Sequence, residues 1–183
     1  MLEIRPLSEL SEAVLRRTIT GYVSHEKYRV SLASSEQYTT FNLEMVSLAE
    51  PYVKHFDPSE EDIHHCQEAL RAGWSIGAFD GEELAAVAIA EPEGWNGTLR
   101  VWEFHVAESY RGRGIGRQLM DRLAARAGPA GLRTMLVETQ NTNVPAIRFY
   151  RKTGFAIEGI DISYYTNQDY PDGEIAVFMK RRL

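Results

Sequence analysis

Between Val106 and Gly116 the chain reads Val-Ala-Glu-Ser-Tyr-Arg-Gly-Arg-Gly-Ile-Gly: an apolar strand end, a turn with alternating glycines, then an amphipathic helix. Glycine lets a backbone turn tightly and lets its N–H groups approach a ligand with no Cβ in the way. A helix start adds N–H donors that lack an intrahelical acceptor, together with the positive end of the helix dipole. In that order these parts make an anion site suited to a pyrophosphate, and Arg111 and Arg113 supply further positive charge. Two other nucleotide-binding turns do not fit the spacing. A P-loop ends in Gly-Lys-Ser/Thr, whereas Gly116 is followed by Arg117-Gln118. A dinucleotide fingerprint needs G-x-G-x-x-G after the first strand of its unit; here G-x-G-x-G stands late in the chain. The plain alternative is an ordinary glycine-rich turn.

Groups able to move protons lie on either side of this turn. Strand alternation puts Val101, Glu103 and His105 on one face and Trp102, Phe104 and Val106 on the other. Glu138 stands near the end of a later apolar run, five residues before Asn143. Asn143 precedes Val144-Pro145 as a helix cap would, and that helix carries Phe149-Tyr150, which also reads as a core pair. His64, His65 and Cys66 are consecutive on a helix, point in different directions and form no metal site by themselves. Lys180-Arg181-Arg182 reads as a solvated terminus.

The elements that must position these residues follow from periodicity and turn chemistry. Leu2 to Arg5 reads as a strand, and a helix is expected from about Glu9 to Thr20. Tyr28–Leu32 and Tyr38–Leu48 read as hairpin arms around Ala33-Ser34-Ser35-Glu36. Ser59 caps a helix running to about Ala72, and Gly73 ends it. Trp74–Phe79 and Glu83–Ala90 are strands joined at Asp80-Gly81, and Leu99–Ala107 is a third. The helix after Gly116 carries Leu119, Leu123 and Ala127 at helical spacing. Leu132–Thr139, the helix Val144–Thr153, and the strands Phe155–Tyr165 and Glu174–Lys180 complete the chain. This order defines an α/β (α+β) architecture, a mixed sheet with helices on its faces.

Composition narrows the class. The 183 residues, 44% hydrophobic and 25% charged, suit one ordinary domain spanning 1–183, with no repeat or linker-like boundary. The longest apolar stretch, Leu84–Ala90, is too short for a bilayer, so no membrane partner is expected. Met1-Leu2-Glu3-Ile4-Arg5 lacks a signal-peptide layout, and the single cysteine suits a reducing compartment; a cytoplasmic location is the expectation. A net charge of -6 argues against a nucleic-acid partner and for a cationic ligand.

Arg111-x-x-Gly114-x-Gly116 resembles the Q/R-x-x-G-x-G/A signature by which GNAT acetyltransferases hold the coenzyme A pyrophosphate. Asn143-x-x-Ala146-x-x-Phe149-Tyr150-x-x-x-Gly154-Phe155 resembles the second motif of that family, with its cofactor-contacting asparagine and a tyrosine near the thiol. The resemblance covers roughly Gly73 to Leu183. Within the family, Trp95-Asn96-Gly97, the run Leu136 to Val144 and Glu174-Ile175-Ala176 look like streptothricin acetyltransferases, which acetylate the β-lysine amine of a cationic antibiotic. The chain departs from that group in having Trp102-Glu103 where an acidic pair stands, and in its aromatic N-terminal region.

The resemblance implies a GNAT-like fold, with a central, mostly antiparallel sheet flanked by helices on both faces. It also implies acetyl-CoA as cosubstrate, no metal, and a small cationic amine as partner; a homodimer would be in keeping with it. The cofactor would be held by the backbone of Phe104, His105 and Val106, by Arg111, Gly112, Arg113, Gly114, Ile115 and Gly116, and by Asn143, Ala146 and Tyr150. An alkylamine has a pKa near ~10 and arrives as the ammonium, so a carboxylate must take its proton. Glu103 and Glu138 both qualify, with the balance slightly toward Glu103. The Val106 N–H would polarise the acetyl carbonyl, and Tyr150 would protonate the departing thiolate. Two other readings stay open: acetylation of a protein N-terminus or lysine, and a non-catalytic acetyl-CoA-binding module.

Overall fold

The computed structural model describes residues 2–183. Its strands are β1 (Leu2–Pro6), β2 (Gly21–Ser34), β3 (Thr39–His55), β4 (Ile76–Asp80), β5 (Glu83–Glu93), β6 (Thr98–Val106), β7 (Thr134–Gln140), β8 (Ala156–Asp161) and β9 (Ala176–Arg182). The helices are α1 (Glu12–Thr18), α2 (Glu60–Arg71), α3 (Ile115–Ala127) and α4 (Val144–Lys152). They pack as two compact units, one of residues 2–20, 56–137 and 180–183, the other of residues 21–55 and 138–179.

In the first unit the strands stand in the order β1-β4-β5-β6-β7. The β1/β4, β4/β5 and β5/β6 pairs are antiparallel and β6/β7 is parallel. Ala85 to Ala90 of β5 are all buried; a strand with neighbours on both edges and apolar contacts on both faces favours such an unbroken run. Leu15 and Ile19, then Ile63, Cys66, Ala69 and Leu70 of α2, pack with Phe79, Val87 and Ile89. Each fully buried aliphatic side chain of this kind contributes about 1.5–3 kcal/mol. α2 starts as expected at Ser59, whose Oγ accepts from the Asp62 N–H while Asp62 accepts from the Ser59 N–H. α1 starts later than Glu9, because Ser11 is its cap, accepting from the Val14 N–H. In α3, Ile115, Leu119, Met120, Leu123 and Ala127 form the buried face.

In the second unit β2 and β3 make a long antiparallel ribbon, and the remaining strands stand in the order β7-β9-β8. The ribbon turns near the expected place, where Ser34 pairs with Thr39. Its arms run well beyond Tyr28 and Leu48, to Gly21 and His55, passing an irregularity between Ser24 and Glu26. The strand expected over Phe155–Tyr165 stops at Asp161. There the Asp161 carboxylate accepts from the Ser163 N–H at 2.9 Å and turns the chain, as Asp side chains favour.

Candidate active site

β6 carries the first set of groups. Its antiparallel register with β5 pairs Ala86 with Val106 and Ile89 with Glu103, then shifts so that Ala90 faces Val101. Trp102 is the extra residue of a bulge, which interrupts the strict alternation expected between Val101 and Glu103. Trp102 donates its indole N–H to Glu91 at 2.6 Å. Beyond the bulge, Glu103 and His105 do share a face, with 2.8 Å between Glu103 Oε2 and His105 Nε2. The parallel ladder with β7 runs from Thr98↔Thr134 to Val101↔Val137; it does not extend along Trp102–Val106.

A 3-10 turn over Glu108–Tyr110 leads from β6 into the glycines. The Tyr110 hydroxyl donates to Asp80 at 3.3 Å and Glu83 at 3.2 Å, and the Arg111 Nε–H to the Val106 carbonyl at 2.9 Å. Burial, reinforced by the Glu83 carboxylate, raises the Tyr110 phenol above its ordinary range. Gly112 and Gly114 take φ values of 74° and 77°, the left-handed region that side chains rarely adopt. Gly114 is the cap of α3, and a Cβ built on Gly112 or Gly114 meets no atom within 4 Å. The turn is therefore an open backbone cradle in front of a helix start, which fits a pyrophosphate. Its arginines are partly engaged: Arg113 lies 5.3 Å from the Tyr110 ring centroid.

The second unit carries the other groups. Asn143 Oδ1 accepts from the Ala146 N–H at 3.2 Å, capping α4 as expected. Tyr150 is buried between Phe149 and Phe155, with ring centroids 5.4 and 5.6 Å away. Glu138 accepts a hydrogen bond from the Tyr165 hydroxyl. The turn before α4 is fixed by buried Asn141, whose side chain donates to the Tyr28 carbonyl and accepts from the Ile175 N–H, each at 2.8 Å.

Beside it lies a polar cluster that sequence reasoning missed. The Tyr22 and Thr142 hydroxyls lie 2.6 Å apart and 3.1 and 3.0 Å from Glu174 Oε1, a triangle of oxygens in which the two O–H protons are shared. Lys54 pairs with Glu174. Burial pushes the Tyr22 phenol well above its ordinary range, with the Glu174 charge adding to it, and pushes Tyr52 up to about 12. For Glu174 burial opposes ionisation, but the hydrogen bond and charge of Lys54 outweigh it and hold the carboxyl below its usual value. Lys54 and Glu174 lie 120 residues apart in the chain, so no local spacing could reveal them. Tyr22 and Tyr52 belong to the aromatic N-terminal region in which the sequence departs from the streptothricin acetyltransferases.

Other titratable groups lie within the first unit, where the buried His65 Nε2 has no hydrogen-bond partner. His64 pairs with Glu68 one turn away, at 3.5 Å, and the His65 ring stands edge-on to Trp102 at 4.2 Å. Among the described residues no three His, Cys, Asp or Glu side chains gather as a metal site. Nor, among the described residues, is any helix long and apolar enough to cross a membrane. Burial pushes the Cys66 thiol up to about 12, with the negative charges of Glu103 and Asp62 adding to it. The thiolate is the reactive form, so Cys66 should resist alkylation at pH 8 in the folded protein. Rapid labelling under native conditions, monitored by mass, would contradict its burial.

The sheet of the first unit is thus mostly antiparallel, with the glycine cradle at the start of the helix between the parallel neighbours β6 and β7. The acetyltransferase (GNAT) family profile matches residues 39–155, and the chain belongs to that family. It is 39% identical over 105 residues to the streptothricin acetyltransferase of Streptomyces lavendulae, a match covering 57% of this chain and 54% of that protein. The chain thus spans about half the length of this curated relative. The crystal structure of nourseothricin acetyltransferase superposes with a TM-score of 0.75 at 27% identity, over 99% of this chain and 98% of that one. A Bacillus subtilis acetyltransferase solved in complex with CoA shares the fold, with a TM-score of 0.65 at 20% identity over 100% and 99% of the two chains.

Proposed function

We propose that this chain, acting as one domain, is an acetyl-CoA-dependent N-acetyltransferase. Its acceptor is the primary amine of a small cationic substrate, with a streptothricin-type antibiotic as the leading candidate and antibiotic resistance as the consequence. The observation that carries this reading is the open glycine cradle at Gly112–Gly114 on the start of α3, in a chain of the GNAT family. The relatives' names support the acceptor class. So does charge: residues 21–55 and 138–179 hold six Lys and Arg against ten Asp and Glu, a balance that attracts polycations.

Bound acetyl-CoA would supply an activated acetyl thioester. The backbone N–H groups from Arg111 to Gly116 would hold its pyrophosphate, the half-buried backbone of Phe104–Val106 its extended arm, and Asn143 and Ala146 its remaining polar groups. Glu103 or Glu138 takes the proton of the incoming ammonium, leaving the nitrogen lone pair for the carbonyl carbon. The Val106 N–H hydrogen-bonds the carbonyl oxygen. As the C–N bond forms and the C–S bond breaks, Tyr150 gives its proton to the sulfur and the second amine proton leaves to solvent; the glutamate then loses its proton to solvent and the phenolate regains one, so that one proton is released per turnover. The products are an amide and the free thiol of CoA.

Thiol release across streptothricin, spermidine, an aminoglycoside and an N-terminal peptide tests this. Streptothricin turnover should be fastest, and its apparent affinity should fall as salt screens exposed charges over roughly 10 Å at ~0.1 M. Replacing the base, in Glu103→Gln or Glu138→Gln, should depress the rate most near neutrality and partly recover at high pH, where free amine is already present. Turnover of the peptide with no turnover of either polyamine would refute the small-molecule reading.

A further inference from the structure

We propose that Tyr165 is a positioning residue that acts through Glu138, holding its carboxylate in the orientation from which it takes the acceptor's proton. This inference rests on the amine-acetylation reading above. Glu138 stands near the end of β7, and the Tyr165 phenol donates to its carboxylate. A glutamate near a strand end has several staggered rotamers within reach, and a fixed donor selects one of them. The donor is fixed. Buried Asp169 accepts from the Tyr165 N–H at 2.7 Å, the Thr166 N–H at 2.9 Å and the Thr166 hydroxyl at 2.7 Å. Those bonds outweigh the cost of burial and keep the Asp169 carboxyl below its usual range, so the brace persists at neutral pH. The neighbouring ring of Tyr164 stands edge-on to Phe178 of β9 at 5.3 Å and to Tyr165 at 5.2 Å. Tyr165 therefore sits in a braced loop. It nonetheless keeps 38% of its surface exposed, where an acceptor can reach the carboxylate it orients.

The phenol also remains a donor. Burial, with the Glu138 charge adding to it, raises Tyr165 far above its ordinary range, so its proton stays on oxygen at neutral pH. A braced, proton-bearing phenol aimed at a candidate base is the arrangement by which outer groups orient reacting ones.

The test measures kcat and both KM values for Tyr165→Phe, Glu138→Gln and the double variant, with thermal stability recorded for each. Tyr165→Phe keeps the ring and its contact with Tyr164. It should lower kcat about tenfold or more, the loss expected for one hydrogen bond to a charged group, with KM values within about twofold of the wild type. The double variant should be no slower than Glu138→Gln alone, since groups acting through one another are not additive. Additive losses, a raised acceptor KM with kcat retained, or unchanged kinetics would each overturn the assignment. A wild type that acetylates no amine would overturn the amine reading and this inference with it. An active wild type with additive losses overturns the inference alone.

Discussion

Gly114→Trp should abolish the thermal stabilisation that acetyl-CoA gives the wild-type protein. A ligand that binds only the folded state at a hundred times its Kd stabilises it by about 2.7 kcal/mol. For a chain of this size that corresponds to a rise in Tm of roughly 5–10 °C. Gly114 sits at φ 77°, and a Cβ there meets nothing within 4 Å, so the variant suffers no clash inside the protein. It suffers left-handed strain of about 1–2 kcal/mol, and the indole fills the space through which the backbone would meet phosphate. A matched control separates these effects. Gly131 has φ 84° with the same open surroundings, but lies in the turn after α3. Gly131→Trp should lower the ligand-free Tm by a similar amount and keep the full acetyl-CoA shift. A normal shift in folded Gly114→Trp would remove the cofactor from this turn.

Tyr150→Phe should cut turnover by about 10²-fold or more and leave acetyl-CoA affinity and Tm near wild type. General acid catalysis contributes on the order of 10²–10⁴ in rate. The substitution isolates the hydroxyl, because the Tyr150 ring packs between Phe149 and Phe155 and phenylalanine preserves both contacts. A fall in kcat and in kcat/KM by the same factor would mark an interaction made only in the transition state. Turnover within a few-fold of wild type would leave Tyr150 as a packing residue and send the thiolate's proton elsewhere.

The parts of the fold legible in the sequence are those set by local chemistry. Ser59 announced α2 because its hydroxyl caps the nearest free N–H, and Gly112 and Gly114 announced the cradle because a left-handed turn demands them. Asn143 likewise read correctly as the cap of α4. Ends set by tertiary pairing did not read. β3 runs through Pro51 to His55 since its partner β2 continues to Gly21, and single-strand propensity cannot anticipate a partner. The bulge at Trp102 was invisible because alternation assumes an unbroken ladder. Glu138 stood out as a candidate base, but Tyr165 did not. It was expected within a strand, and the Asp161 and Asp169 turns that aim it at β7 depend on side chains closing hydrogen bonds only in the folded loop.

The partition into two units also divides the chromophores. Trp74, Trp95 and Trp102 all belong to the first unit, while Tyr110 is the one tyrosine of nine that does not belong to the second. Trp102 lies against His65, and Arg126 stacks on Trp74 at 4.2 Å, so two of the three indoles sense how α2 and α3 are packed. Excitation restricted to the indoles therefore reads the unit that carries the glycine cradle. Tyrosine absorbance reads chiefly the unit that carries Glu138 and Tyr165. Unfolding curves from the two signals ask whether this chain melts as one cooperative body or as two, the coincidence of probes being the criterion, without a label being attached to either half.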